Sequence, residues 1–151
     1  MLYTNEIIVE VPIDVFINKM NNIENMKHWQ RGLQSTEHIS GVPGELGSKI
    51  KLTYKFGKRQ MEIIETITHQ NFPHEFHATY NTKGMTNIQE NAFTTTNDGY
   101  TKWVSKSEFI PLSFMMRAML FFMPNAFKKQ SLKYMQDFKK FAETGSSVAH
   151  A

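Results

Sequence analysis

Residues 49–56 alternate without a break: Ile50, Leu52, Tyr54 and Phe56 are apolar, while Lys49, Lys51, Thr53 and Lys55 between them are polar. A period of two is the mark of a strand with one buried and one wet face, and it obliges the chain to supply neighbouring strands and a layer to cover the apolar side. The same period returns three times with short turns between. Residues 60–68 follow Gly57-Lys58; Phe76, Ala78, Tyr80 and Thr82 alternate with Glu75, His77, Thr79 and Asn81; and residues 87–95 follow Lys83-Gly84. Asn97-Asp98-Gly99 is a hairpin signal, after which Trp103, Ser105, Ser107 and Phe109 oppose Lys102, Val104, Lys106 and Glu108. Turns this short join only antiparallel strands, so an antiparallel meander is expected.

Elements on either side of the meander read differently. Ile7, Val9 and Val11 suggest a first strand, Pro12 ends it, and Ile13, Phe16, Ile17 and Met20 then recur at helical spacing, with a second short helix over residues 23–29 and a short strand over 35–40. Residues 112–143 contain no glycine and read as one long helix with a kink at Pro124. Beyond the kink, Phe127, Ser131, Tyr134, Met135, Phe138, Phe141 and Ala142 form a stripe, and Lys128, Lys129, Lys133, Lys139 and Lys140 face away. Before it, residues 112–123 carry one charge, Arg117, so this half must be buried on several sides or meet a ligand, a partner or a membrane.

Composition narrows the function class. A length of 151 residues suits one domain over residues 1–144, large enough for a core with a cavity, with residues 145–151 expected as a frayed, disordered tail. The absence of cysteine excludes disulfides, thiolate catalysis and cysteine-ligated zinc, and fits a cytoplasmic protein. No secretory leader and no membrane-spanning segment is expected, since no apolar run approaches ~20 residues. Net charge is only +3, and five of the seventeen basic residues fall between Lys128 and Lys140, which describes a local basic face and gives no reason to expect nucleic-acid binding. Twelve phenylalanines and ten methionines favour adaptable apolar contact.

The order of strand, two small helices, antiparallel strands and a long last helix resembles the helix-grip fold of the START-like (SRPBCC) superfamily, which includes polyketide cyclase/dehydrase and lipid-transport proteins and the birch-pollen-allergen group. Val11-Pro12-Ile13-Asp14-Val15-Phe16, Asn25-Met26-Lys27-His28-Trp29, Gly41-Val42-Pro43-Gly44-Glu45-Leu46-Gly47 and the stretch from Phe127-Lys128-Lys129-Gln130 through Phe138-Lys139-Lys140-Phe141-Ala142-Glu143 carry the likeness. It implies an α+β fold in which a curved antiparallel sheet of six or seven strands wraps a long C-terminal helix, with a cavity between them for hydrophobic ligands. The motifs are structural and name no reaction.

Candidate chemistry is sparse. Gly41, Gly44 and Gly47 with Ser48-Lys49 lack the order of a phosphate loop, because Gly-Ser-Lys here opens a strand instead of a helix. His69, His74 and His77 are close in sequence, but His74 and His77 fall on opposite strand faces, so no metal site is expected. Two catalytic candidates stand out: Glu65, in step with Met61, Ile63 and Ile67 and so able to point inward, and His28 beside Trp29, near the cavity mouth that the resemblance implies. Asn87, Gln89 and Asn91 share a face with Phe93 and either meet solvent or orient a ligand. The expected ligand-binding set is Trp29, Tyr54, Phe56, Phe76, Tyr80, Phe93, Trp103 and Phe109, with Met115, Met119 and Met123 from the uncharged half-helix. On the strands these side chains and Leu52 should all point toward the long helix.

Three functions are compatible with this reading. The first is a carrier or sensor for a hydrophobic small molecule or lipid, needing no cofactor. The second is a cyclase/dehydrase-type enzyme acting on a polyketide-like substrate with one polar side chain moving a proton. The third is an interaction module that docks on a protein or the membrane periphery through the apolar half-helix or the basic face.

Overall fold

The computed structural model describes residues 1–149. Strand β1 (Leu2–Val9) leads into α1 (Ile13–Met20), a single 3-10 turn (Ile23–Asn25) and α2 (Met26–Trp29). Six strands follow: β2 (Leu33–Ser40), β3 (Lys49–Phe56), β4 (Arg59–Asn71), β5 (Glu75–Thr82), β6 (Met85–Thr95) and β7 (Thr101–Pro111). The chain closes with α3 (Phe114–Phe122) and α4 (Pro124–Thr144). All seven strands form one antiparallel sheet in the order β1-β7-β6-β5-β4-β3-β2, so the α1–α2 connection carries the chain from one edge to the other. This is the α+β architecture expected, with two short helices after the first strand.

The core sits at one end, where α1, α2 and the second half of α4 meet the sheet. Phe138 of α4 packs edge-on against Phe16 of α1 (4.9 Å between ring centres), Trp29 of α2 (5.1 Å) and Trp103 of β7 (5.6 Å). Phe93 completes the group at 5.1 Å from Phe16. Such tilted aromatic contacts satisfy the ring quadrupoles while burying large apolar areas. Lys139 Nζ donates to Ile8 O (2.7 Å) and Glu143 accepts from Glu10 N (2.7 Å), which ties the end of α4 to β1.

Two expectations need correction. The glycine-free stretch is two helices, not one kinked helix: Met123 leaves the helical region (φ −130°, ψ 55°) and Pro124 occupies the first turn of α4, where its missing N–H has no carbonyl to lose. The tail does not fray through Ala149, because Val148 N donates to His28 O (3.0 Å) and Ser147 Oγ meets His28 Nδ1 (2.8 Å). Residues 150 and 151 of that tail lie outside the described residues.

Candidate functional site

Strand parity sets which side chains reach the concave face. Leu52 and Tyr54 of β3, Ala78 of β5, Phe93 of β6 and Trp103 of β7 are buried there, while Lys55 is exposed. Asn87 and Asn91 are buried too, and Gln89 is half-buried beside them, so this row faces inward. Ser105 and Ser107 of β7 and Asn5 of β1 extend the buried polar floor. Each amide has a partner: Asn91 Oδ1 accepts from Trp103 Nε1 (2.9 Å), Asn87 Nδ2 donates to Glu108 O (3.2 Å), Gln89 Nε2 donates to Asn87 Oδ1 (2.8 Å), and Asn5 Nδ2 donates to Lys128 O (3.1 Å). A polar floor this extensive departs from the apolar lining of an ordinary core.

Helix α4 runs alongside β1, and β3, β4 and β5 lie farther across the sheet. Incomplete cover of their inward side chains marks a recess on the concave face of those three strands. Met61, Ile63 and Glu65 of β4 and Phe76 and Tyr80 of β5 are only half-buried although they lie mid-sheet. Glu65 stands directly opposite Tyr80 in the β4–β5 register. Burial raises the Glu65 carboxyl pKa, and the neighbouring Tyr80 hydroxyl partly offsets that rise. Burial also pushes the Tyr80 phenol well above its ordinary value, with the Glu65 charge adding to the effect. The Tyr54 phenol is raised by burial first and then by the neighbouring Tyr134 and Glu65. Its hydroxyl donates to Gln30 Oε1 (3.1 Å).

Across the recess, α4 contributes Tyr134 and Asp137. Burial raises the Tyr134 phenol pKa; neighbouring Gln130 offsets part of the rise, and Asp137 and Arg31 act on it in opposite directions. Arg31 and Asp137 lie 3.5 Å apart at Nε and Oδ2, long for a charge-assisted bond. Arg31 Nε, Asp137 Oδ2 and Trp29 Nε1 have no hydrogen-bond partner, and all three belong to the contact between α4 and the α2–β2 junction. Two acids, a guanidinium and three phenols are thus gathered about one recess. Sequence reasoning singled out Glu65, Tyr54 and Tyr80 for this region but missed Gln30, Arg31 and Asp137. Asp137 did carry a signal: it lies three residues after Tyr134 and four before Phe141, on the apolar stripe itself.

The other expected site residues are dispersed. Trp29, Phe93 and Trp103 are packed in the aromatic core, and Phe76 stacks on Phe72 (5.7 Å) at its edge. Phe109 lies between Tyr3 (5.9 Å) and Phe127 (4.9 Å). Phe56 stacks on Tyr54 (6.1 Å) and is pressed on Gly32, where an added Cβ would stand 2.7 Å from its ring. Gly32 also has φ +84°, so both space and backbone demand glycine there. Met115 and Met123 are exposed and Met119 is marginal, because the break at Met123 lets α3 diverge from α4 and turn these side chains outward. The apolar cavity expected beside them is therefore not formed by this arrangement.

His28 stacks on Phe141 (5.4 Å) and holds the tail, so it faces away from the recess. His69 would share the inner face with Ile67, but a bulge between them turns it to the convex side. There His69 Nε2 bonds Glu75 (2.7 Å), and its ring lies tilted against that of His77 (4.8 Å between centres). Among the described residues no three His, Asp or Glu side chains are arranged to hold a metal ion. Among the described residues, discrete pockets also lie outside the recess. One of about 220 Å³ is lined by Asn5, Asn125, Lys128, Lys129 and Leu132, and one of about 280 Å³ by Leu2, Ile88, Glu90, Lys106 and Glu108 on the convex face.

No protein-family model and no curated protein sequence matches this chain. Solved structures do. A conserved protein from Geobacillus kaustophilus superposes with a TM-score of 0.79 at 13% identity, covering 94% of this chain and 95% of its own. Truncated norcoclaurine synthase from Thalictrum flavum gives 0.72 at 12% identity, over 95% and 94% of the two chains. Ara h 8.0201 gives 0.71 at 15% identity, over 94% and 97%. Likeness at such identities is a likeness of backbone, and it agrees with the strand order and helix placement described above: the chain has the START-like helix-grip fold shared by Bet v 1-like proteins.

Proposed function

We propose that this protein binds a hydrophobic small molecule or lipid carrying at least one polar group, held in the recess between β3–β5 and α4. The observation that carries the reading is the company around Glu65: apolar Ile63 and Met61 on the same strand face, and Tyr80, Tyr54 and Tyr134 close enough to influence one another's titration. Ligand sites of this kind combine apolar walls with a few convergent polar groups that fix orientation. With its pKa raised, Glu65 holds its proton to a higher pH than an ordinary carboxyl and can donate a hydrogen bond to a ligand carbonyl or hydroxyl. Phenols kept neutral do the same. Native mass spectrometry of freshly purified protein tests the reading: a retained small molecule of lipidic or polycyclic composition supports it, and a wholly unliganded protein that also fails to take up such compounds counts against it.

Glu65 also favours a second reading, a cyclase/dehydrase-type enzyme. A carboxyl with a raised pKa, set opposite a phenol in a sheltered recess, is suited to moving a proton at a carbonyl-activated carbon. Turnover of a polyketide-like substrate that Glu65→Gln abolishes while binding persists would select this reading over simple carriage. On either reading the protein works in the cytoplasm.

A further inference from the structure

We propose that α3 and the start of α4 form a docking surface for a bilayer bearing anionic phospholipids, independently of what the recess holds. Helix α3 is apolar on both sides but packed on only one. Met116 and Leu120, four residues apart, face the body, with Met116 against the β5–β6 turn at Gly84. The opposite face is left to solvent: Phe114, Phe121 and Phe122 are 86%, 78% and 77% exposed, with Met115 and Met123 beside them. Three large aromatics so exposed on nine residues form a contiguous patch of the kind that marks an interaction site.

Charge decides which partner fits. Between Glu108 and Asp137 the chain carries no acidic residue, while Arg117, Lys128, Lys129 and Lys133 are all exposed. Lys128 and Lys129 line the groove of about 220 Å³ with Asn5 and Asn125, just after α3 ends. Exposed Phe and Met in a stretch whose only charges are cationic is the pattern of an interfacial helix, whose rings enter the acyl boundary while its cations meet phosphate groups. A nine-residue helix rises about 13 Å, far short of the ~30 Å hydrocarbon core, so it would lie in the interface and not cross it. No helix among the described residues is long and apolar enough to span a membrane. A second copy of the chain fits less well, since a two-fold interface through α3 would bring two basic clusters together.

Co-sedimentation with vesicles tests this directly. The wild-type protein should pellet with phosphatidylcholine vesicles containing about 30% phosphatidylglycerol, much less with pure phosphatidylcholine, and less again at raised ionic strength. Phe121→Asp/Phe122→Asp should lower partitioning at least about tenfold with an unchanged circular dichroism spectrum, and Lys128→Glu/Lys129→Glu should remove the preference for anionic lipid. Failure of the wild type to pellet with the anionic vesicles at low salt would overturn the proposal. So would equal pelleting by Phe121→Asp/Phe122→Asp, or a dimer in solution that this variant splits into monomers.

Discussion

Glu65 and Tyr80 face one another across the β4–β5 ladder, both on the concave side of the sheet, and each alters the titration of the other. A carboxyl placed mid-strand, with Ile63 and Ile67 two residues away on the same face, costs folding free energy whenever it is charged. Its retention there makes sense where the recess serves a ligand.

The pH dependence of stability follows from that placement. Because the folded pKa of Glu65 is raised, its contribution is complete below the unfolded value of about 4.3 and is lost as pH rises through the higher folded value. Glu65→Gln should therefore leave stability nearly unchanged near pH 4 and make the protein more stable than wild type at pH 8. Urea denaturation of both proteins across that range checks it; a less stable variant at pH 8 would contradict it.

Core and patch should respond oppositely to truncation. Phe138, fully buried among Phe16, Trp29 and Trp103, should cost about 3–5 kcal/mol as Phe138→Ala. Phe121→Ala, on the open face of α3, should stay within about 0.5 kcal/mol of wild type. Chemical denaturation midpoints at constant m-value give both numbers.

The Arg31–Asp137 pair makes an asymmetric prediction. Asp137 is almost fully buried, whereas the Arg31 side chain is about one-third exposed. Removing the cation as Arg31→Ala leaves a buried carboxylate uncompensated and should cost about 2–3 kcal/mol, below the range for fully buried pairs. Asp137→Asn leaves an exposable guanidinium and should cost less. The reverse order in thermal or urea unfolding would mean that the pair does not stabilise the fold in this way.

How far these features were legible depends on the range of the forces that fix them. Alternation in β3 announced itself because one face of that strand is packed and the other wet. The orientation of Asn87, Gln89 and Asn91 did not, since both faces of β6 are comparably polar and only the covering layer chooses between them. Pro124 was visible as a disturbance, but a kink and a fresh helix start share the same proline; the backbone at Met123 separates them. The outward turn of His69 depends on a bulge that leaves no composition signal. Glu65 could be placed by parity alone, whereas Arg31 and Asp137 meet across 106 residues of sequence, beyond any local pattern.

Titration with a neutral apolar fluorophore tests the central claim, that the recess beside Glu65 and Tyr80 is a ligand site. Folded wild-type protein should bind the dye saturably, and Ile63→Trp, which fills the recess from its apolar wall, should weaken binding at least about tenfold without loss of fold. Phe121→Asp/Phe122→Asp should bind as wild type does, which separates the recess from the exposed patch on α3. Absence of saturable binding by the wild type, or loss of binding in the α3 variant with Ile63→Trp unaffected, would contradict the account.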